Sequence, residues 1–463
     1  MGVGALDDGR RRHERCRFLS LAATRVAAMV ATALVAVTPI ACRRSAEPRA
    51  TRIVLISLDT LRYDAFAGDA DRATAMPLTL AWARNGAVFE HHYAASSSTH
   101  PSHATMFTGL HPWEHGVHSN GIPLGESSST VAEVLHANGY ATHAVVGSRM
   151  MIDGLGWGQG FDTFVAEFTE VVVDDAWAGS GGPIGAKFYS RADTVTRAAL
   201  AAIDGDASAR QFHFIHYFDP HAPYGDGDPT QAWTPPKLRE VARAHADVPR
   251  ALRAARDGYD DDTRYLDAQL GRVLNRLADD RDRVDTHVML TADHGECFGE
   301  DGSFAHGQRL LPAVIHVPLV VLSPKIAAGR RSDVTGSVDV MATLLALAAV
   351  DYPAPRGRSV LVPAVPERSC SAMGMRRTFT KPAAEIRADG RAHALPDRQF
   401  YCVDQDGRLA VGNPTALESV ESPARAALFK GIFTVFDVAL SNSARAAADP
   451  QTVQTMRALG YVQ

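Results

Sequence analysis

The sequence predicts an α/β fold with a largely parallel sheet. Two observations carry this. Short, continuously apolar runs alternate with helical patterns along the chain, and three of these runs end at or next to an aspartate: Asp59, Asp219 and Asp293. Runs apolar on every residue suit strands buried on both faces. In such folds ligands sit beyond the carboxyl ends of the strands. A lone aspartate there often caps a helix; three, with histidines nearby, point to a site.

The elements follow in order. Arg52–Leu58 is the first strand and stops at Asp59. Helical patterns cover 76–86 and 130–139. Strands are expected at 141–147, 211–218, 286–292 and 317–322. A long amphipathic helix runs from Tyr259 to Ala278, with Leu266, Leu270, Val273, Leu274 and Leu277 on one side. An apolar helix covers Val338–Val350. From about residue 357 proline-rich stretches give way to short strands at 399–411 and 428–437, and then a helix near 450–459. This reads as a smaller C-terminal antiparallel subdomain.

The amino terminus has a different pattern. Arg10, Arg11, Arg12, Arg15 and Arg17 precede an apolar stretch from Leu19 to Ala41 that only Arg25 interrupts. That order is an export signal. Pro39-Ile40-Ala41-Cys42 resembles a bacterial lipobox, with proline where leucine is usual. Lipidation of Cys42, plain cleavage and a retained anchor helix are all open. The expected organisation is therefore a signal at 1–42, a linker at 43–51, a catalytic domain at 52–356 and a subdomain at 357–463. The protein is expected to be exported, periplasmic or at the cell envelope, with membrane attachment through its N-terminus if Cys42 is lipidated. A formal charge of −5 over 463 residues gives no electrostatic reason to expect nucleic-acid binding. Cys370 and Cys402 could form a disulfide, but spacing does not decide it.

Four segments carry chemistry: Leu58–Asp64, Ser98–Gly109, His216–Tyr224, and Asp293–Glu296 with His306-Gly307 after it. Carboxylates and imidazoles at strand ends can hold a divalent cation. Asp59, Asp293 and His294 give an oxygen-rich set with one nitrogen; Asp219 and His306 could extend it to a second cation. Thr99, two residues before Pro101, would lie at a helix N-terminus, where the backbone favours an anion. It is either a structural cap or a cation-activated nucleophile that is itself a ligand. His103, one turn on, could donate to a substrate oxyanion. His221 is a candidate acid or base. His216 reads as a core histidine, Asp64 lies outside the ligand set, and His91 and His92 have no assigned role.

These segments resemble the sulfatase family of the alkaline-phosphatase superfamily. The resemblance rests on Asp59 after an apolar strand, on Thr99-His100-Pro101-Ser102-His103 with Thr108-Gly109, and on His115-Gly116-Val117. It extends to Gly160-Phe161-Asp162, Asp219-Pro220-His221 with Pro223-Tyr224, Asp293-His294-Gly295-Glu296, and Leu459-Gly460-Tyr461-Val462. It implies an alkaline-phosphatase-like α/β fold, with the sheet sandwiched by helices, and a metal-dependent hydrolase of sulfate or phosphate esters. The cation would be calcium, magnesium, manganese or zinc. The substrate would be a small molecule, glycan or lipid ester.

The chain departs from the family at two signature positions. Sulfatases oxidise a cysteine or serine to formylglycine, whereas the β-carbon of Thr99 bears a methyl group and cannot give that aldehyde. His103 stands where the signature has arginine. The family's lysine and histidine after glycine also have no match near Gly147-Ser148-Arg149. These departures resemble superfamily members that use an unmodified threonine on phosphate, such as nucleotide phosphodiesterases. The alternative is a sulfatase-like binding protein without catalysis.

Overall fold

The computed structural model describes residues 49–171, 187–225, 232–307, 309–353 and 356–362, and the short stretches 370–373, 384–389, 391–394, 400–403 and 409–412. The signal expected at 1–42, the strand expected at 428–437 and the helix expected at 450–459 lie outside the described residues. Among the described residues no helix is long and apolar enough to cross a membrane.

Ten strands precede residue 340: β1 Ala50–Leu58, β2 Ala87–Tyr93, β3 Ala141–Val146, β4 Thr163–Val165, β5 Glu170–Val171, β6 Lys187–Tyr189, β7 Arg210–Tyr217, β8 Val284–Thr291, β9 Leu319–Leu322 and β10 Gly329–Gly336. Eight of them form one sheet in the order β10-β2-β9-β8-β1-β7-β3-β4. Strand β1 lies at its centre, parallel to both β7 and β8; only β9 runs against its neighbours β8 and β2. The sheet is thus largely parallel, as the sequence predicts.

Alternation along each strand builds two cores. Ile53 and Leu55 of β1, Phe212 and Phe214 of β7, and Met289 of β8 point into one, with helices Thr99–Thr108, Val131–Ala137 and Asp339–Leu347. Val54, Ile56 and Leu58, Ile215 and Tyr217, and Val288 and Leu290 point into the other, with helices Ala192–Gly205 and Val248–Asp279. Burial on both faces explains why these strands are rich in apolar residues on both alternating sets of positions.

The differences from expectation have local causes. The long helix begins at Val248, not Tyr259: Asp247 caps it by accepting from Arg250 N at 3.1 Å, and a proline stands in its first turn. Strand β9 begins at Leu319, after Pro318, which has no N–H for the ladder. Strands β2, β4 and β10 were not expected. β10, Gly329–Gly336, is a polar edge strand with no apolar run to announce it. Beyond residue 357, Cys370–Met373, Phe400–Val403 and Leu409–Gly412 form an antiparallel sheet, within the region read as strand-forming. Its register sets Cys370 against Val403 and Cys402 against Ser371, so the two cysteines do not stand opposite one another.

Candidate active site

Strand β1 ends at Leu58, and Asp59 N still donates to Tyr217 O at 2.9 Å. The chain then turns sharply. Thr60 has φ 57°, a left-handed value that costs energy for a β-branched residue. The turn aims Thr60 N at Oδ1 of Asp293, 3.2 Å away, which also accepts from His294 N at 2.8 Å. Gly295 follows because a Cβ there would come within 2.2 Å of the Ala313 carbonyl oxygen.

One ligand atom from each of Asp59, Asp293 and His294 lies within 4.8 Å of the others, and all three residues are fully buried. Oδ1 of Asp59 and Oδ2 of Asp293 have no hydrogen-bond partner. Buried carboxylate oxygens left unpaired are costly, so this donor set fits a divalent cation. Burial raises the Asp59 carboxyl well above its usual range, and the nearby Asp293 adds to this. Burial also acts on Asp293, but the surrounding His294, His103 and His216 outweigh it and hold that carboxyl below its usual value. Among the described residues neither Asp219 nor His306 belongs to this three-residue cluster.

Thr99 is the first residue of helix Thr99–Thr108, and Ser98, extended at φ −146°, occupies the cap position ahead of it. Thr99 therefore does not cap the helix. Its Oγ1 lies 3.3 Å from His294 Nε2, and that same nitrogen lies 3.3 Å from Asp293 Oδ2. The expected nucleophile and the expected ligands are thus brought together.

His103 is one turn deeper. Its Nδ1 donates to Thr99 O at 2.9 Å, which leaves Nε2 to accept from Ser57 Oγ at 2.9 Å. Burial pushes its pKa down to about 3. A neutral ring with both nitrogens engaged supports the helix start, not a substrate oxyanion. His216, expected to be a core histidine, does more: its Nε2 lies 3.2 Å from Asp59 Oδ2. Ser57 and His216 are paired across β1 and β7, on the face that packs against Thr99–Thr108. Pairing of this kind cannot be read from spacing along the chain.

His306 holds both oxygens of Glu296 through Nδ1, each at 3.1 Å. Its ring lies 4.4 Å from that of His294 and 5.0 Å from that of His221. Burial opposes the charge on His306, but Glu296 outweighs it and raises the imidazole pKa. Glu296 is itself lowered, because His306 outweighs its burial. The sequence reading did not single out Glu296 as a site residue. His221 donates from Nδ1 to Ala222 O at 2.8 Å and stacks on Phe218 with ring centres 4.3 Å apart; burial lowers it to about 3.

Asp219 goes elsewhere. Its Oδ1 accepts from Ala192 N at 2.9 Å and lies 3.7 Å from Arg191 Nε, at the start of helix Ala192–Gly205. Burial raises it to about 7. Its role here is that of a helix-start acceptor, as aspartates after strands often are.

A family model described as Sulfatase matches residues 51–350. The uncharacterized sulfatase YidJ of Escherichia coli (strain K12) is 24% identical over 318 residues, which are 58% of this chain and 62% of that protein. The choline-sulfatase of Rhizobium meliloti (strain 1021) is 25% identical over 351 residues, 64% of this chain and 67% of that one. The match thus spans less than two thirds of the Escherichia coli protein. Among solved structures, the phosphonate monoester hydrolase from Silicibacter pomeroyi superposes with a TM-score of 0.58 at 19% identity, covering 85% of this chain and 96% of that one. A 2-O GAG sulfatase gives 0.63 at 15% identity, covering 88% and 96%. At these identities the superpositions speak for the fold.

Proposed function

The chain belongs to the sulfatase family of the alkaline-phosphatase superfamily, and from that premise we propose that it is a cation-dependent ester hydrolase with unmodified Thr99 as its nucleophile. The observation that carries this is the 3.3 Å approach of Thr99 Oγ1 to His294, inside the Asp59, Asp293 and His294 cluster. Threonine cannot supply an aldehyde, so the reading favours phosphodiesters or phosphonate monoesters, with sulfate esters second.

A divalent cation held by Asp59, Asp293 and His294 would offset their charge, polarise the ester and lower the pKa of the nearby hydroxyl. The chain's own residues do the rest. Thr99 Oγ1 releases its proton to solvent and attacks phosphorus or sulfur in line; its bond to the central atom forms, and the bond to the leaving alcohol oxygen breaks. His306, whose pKa Glu296 raises, gives its proton to that oxygen. His221 is assigned as the base that takes the proton of the entering water. Water then displaces Thr99, the proton taken from that water passes from His221 to the threonine oxygen, and His306 regains its proton from solvent. His216 and His103 hold Asp59 and the helix start in place.

The amino-terminal pattern supports action outside the cytoplasm, with Cys42 as the residue to examine for a lipid. The substrate's organic part belongs to a small molecule, a glycan or a lipid.

The test is turnover of matched aryl phosphodiester, phosphonate, phosphate monoester and sulfate substrates with each candidate cation, alongside Thr99→Ala. Phosphodiester or phosphonate turnover that vanishes in the alanine variant supports the proposal. Sulfate turnover that survives in Thr99→Ala overturns the nucleophile. Cation binding with no turnover at all favours a binding protein.

A further inference from the structure

The strained turn after Asp59 is held from outside the cluster. Tyr259, on helix Val248–Asp279, is completely buried. Its hydroxyl donates to Thr60 O at 3.0 Å and accepts from Arg62 N at 3.0 Å. The two bonds straddle Leu61 and fix the carbonyl that leaves the left-handed Thr60. The ring has little freedom to move away: Phe298 lies 5.2 Å from it, Tyr224 6.3 Å, and the Arg256 guanidinium 5.3 Å. Arg62 then reaches the other ligand loop, donating from Nη1 to Glu296 O at 2.8 Å.

We propose that Tyr259 is a positioning residue for the cation site: its hydroxyl holds Thr60 left-handed and so keeps Thr60 N on Asp293 and Asp59 at its distance from Asp293. The proposal rests on the reading of Asp59, Asp293 and His294 as cation ligands. Two buried carboxylates repel, and a chain that must accept both beside one another needs the turn between them fixed in advance. Relaxing Thr60 to an ordinary conformation would take Thr60 N, the one donor to Asp293 Oδ1 that comes from the Asp59 side, away and let the carboxylates part. Groups that orient ligands in this way commonly change metal affinity by about 10–100-fold when removed.

The experiment titrates the EDTA-stripped full chain with Mn²⁺ and Ca²⁺ by calorimetry. It compares wild type, Tyr259→Phe, Thr60→Gly and the double variant, and follows thermal melting of each stripped protein. Tyr259→Phe should weaken cation binding by about 10–100-fold. In the Thr60→Gly background, where glycine takes the left-handed conformation without strain, the same loss of hydroxyl should cost under about threefold. Equal affinities for wild type and Tyr259→Phe overturn the proposal. So does a lowered melting temperature with unchanged affinity, which is what a merely structural tyrosine gives. A full loss that persists in the Thr60→Gly background overturns the turn-holding role. Absence of binding by wild type overturns the cation reading itself, and the proposal with it.

Discussion

The hydroxyl of Thr99 and Nε2 of His294 lie 3.3 Å apart although 195 residues separate them in the chain. One sits at the start of a helix, the other just past the end of β8. Their approach is where a nucleophile would meet a cation ligand.

Thr99→Ala should therefore lower kcat on the best ester substrate by at least about 10³-fold, with cation affinity changed far less. Thr99→Ser keeps the hydroxyl and should retain activity within about tenfold. Steady-state rates check both, and mass spectrometry of a quenched reaction should find the phosphoryl or sulfuryl group on residue 99.

Cation binding should stabilise the folded protein. At a free cation concentration 100 times Kd the gain is about 2.7 kcal/mol, read as a raised Tm in thermal melts and reversed by EDTA. Asp293→Asn should abolish the gain, because Oδ2 is a buried carboxylate oxygen of the cluster without a hydrogen-bond partner.

Glu296→Gln removes the charge that raises His306 above its ordinary 6.5. If protonated His306 serves the leaving group, kcat/KM falls as pH rises through its pKa, and that falling limb should move to lower pH in the glutamine variant. Stability of the cation-free protein gives a second reading. The His306 contribution is complete below 6.5 and is lost as pH rises through the raised value. The Glu296 contribution is present above its ordinary 4.5 and is lost as pH falls through the lowered one. Both contributions should vanish in Glu296→Gln, measured by denaturant unfolding across pH.

Gly295→Ala would place a Cβ within 2.2 Å of the Ala313 carbonyl oxygen, in a segment tied to Val314 O at 2.6 Å. The backbone between His294 and Glu296 must shift. A destabilisation of about 1–3 kcal/mol, with weakened cation binding, is the expected result, checked by melting and calorimetry.

What the sequence disclosed and what it concealed divide along physical lines. Asp59, Asp293 and His294 were legible because an apolar run fixes where a central strand ends, and the residue after it has only one place to be. Thr99 was legible because Pro101 marks a first helical turn. Asp219 misled because a strand-end aspartate has two uses, and here it serves the helix at Ala192. The roles of His216 and Tyr259 depend on which strands and helices become neighbours: His216 meets Asp59 across β1 and β7, and Tyr259 reaches Thr60 from a helix far along the chain. Neither relationship leaves a local pattern. The polar β10 was missed because an edge strand needs no apolar run.

The pairing of β1 with β8 has a consequence for how the protein comes into being. Ser57 stands opposite Thr291, so Asp59 and Asp293 come from segments at opposite ends of the catalytic region. Closing so long a loop is entropically slow. During synthesis Asp59 emerges long before Asp293 and His294, and on the proposed reading a chain interrupted before β8 would have no complete cation site. The newborn polypeptide would therefore be inert toward both metal and ester until β8 joins β1. On that reading, cation uptake would report that β1 and β8 have paired.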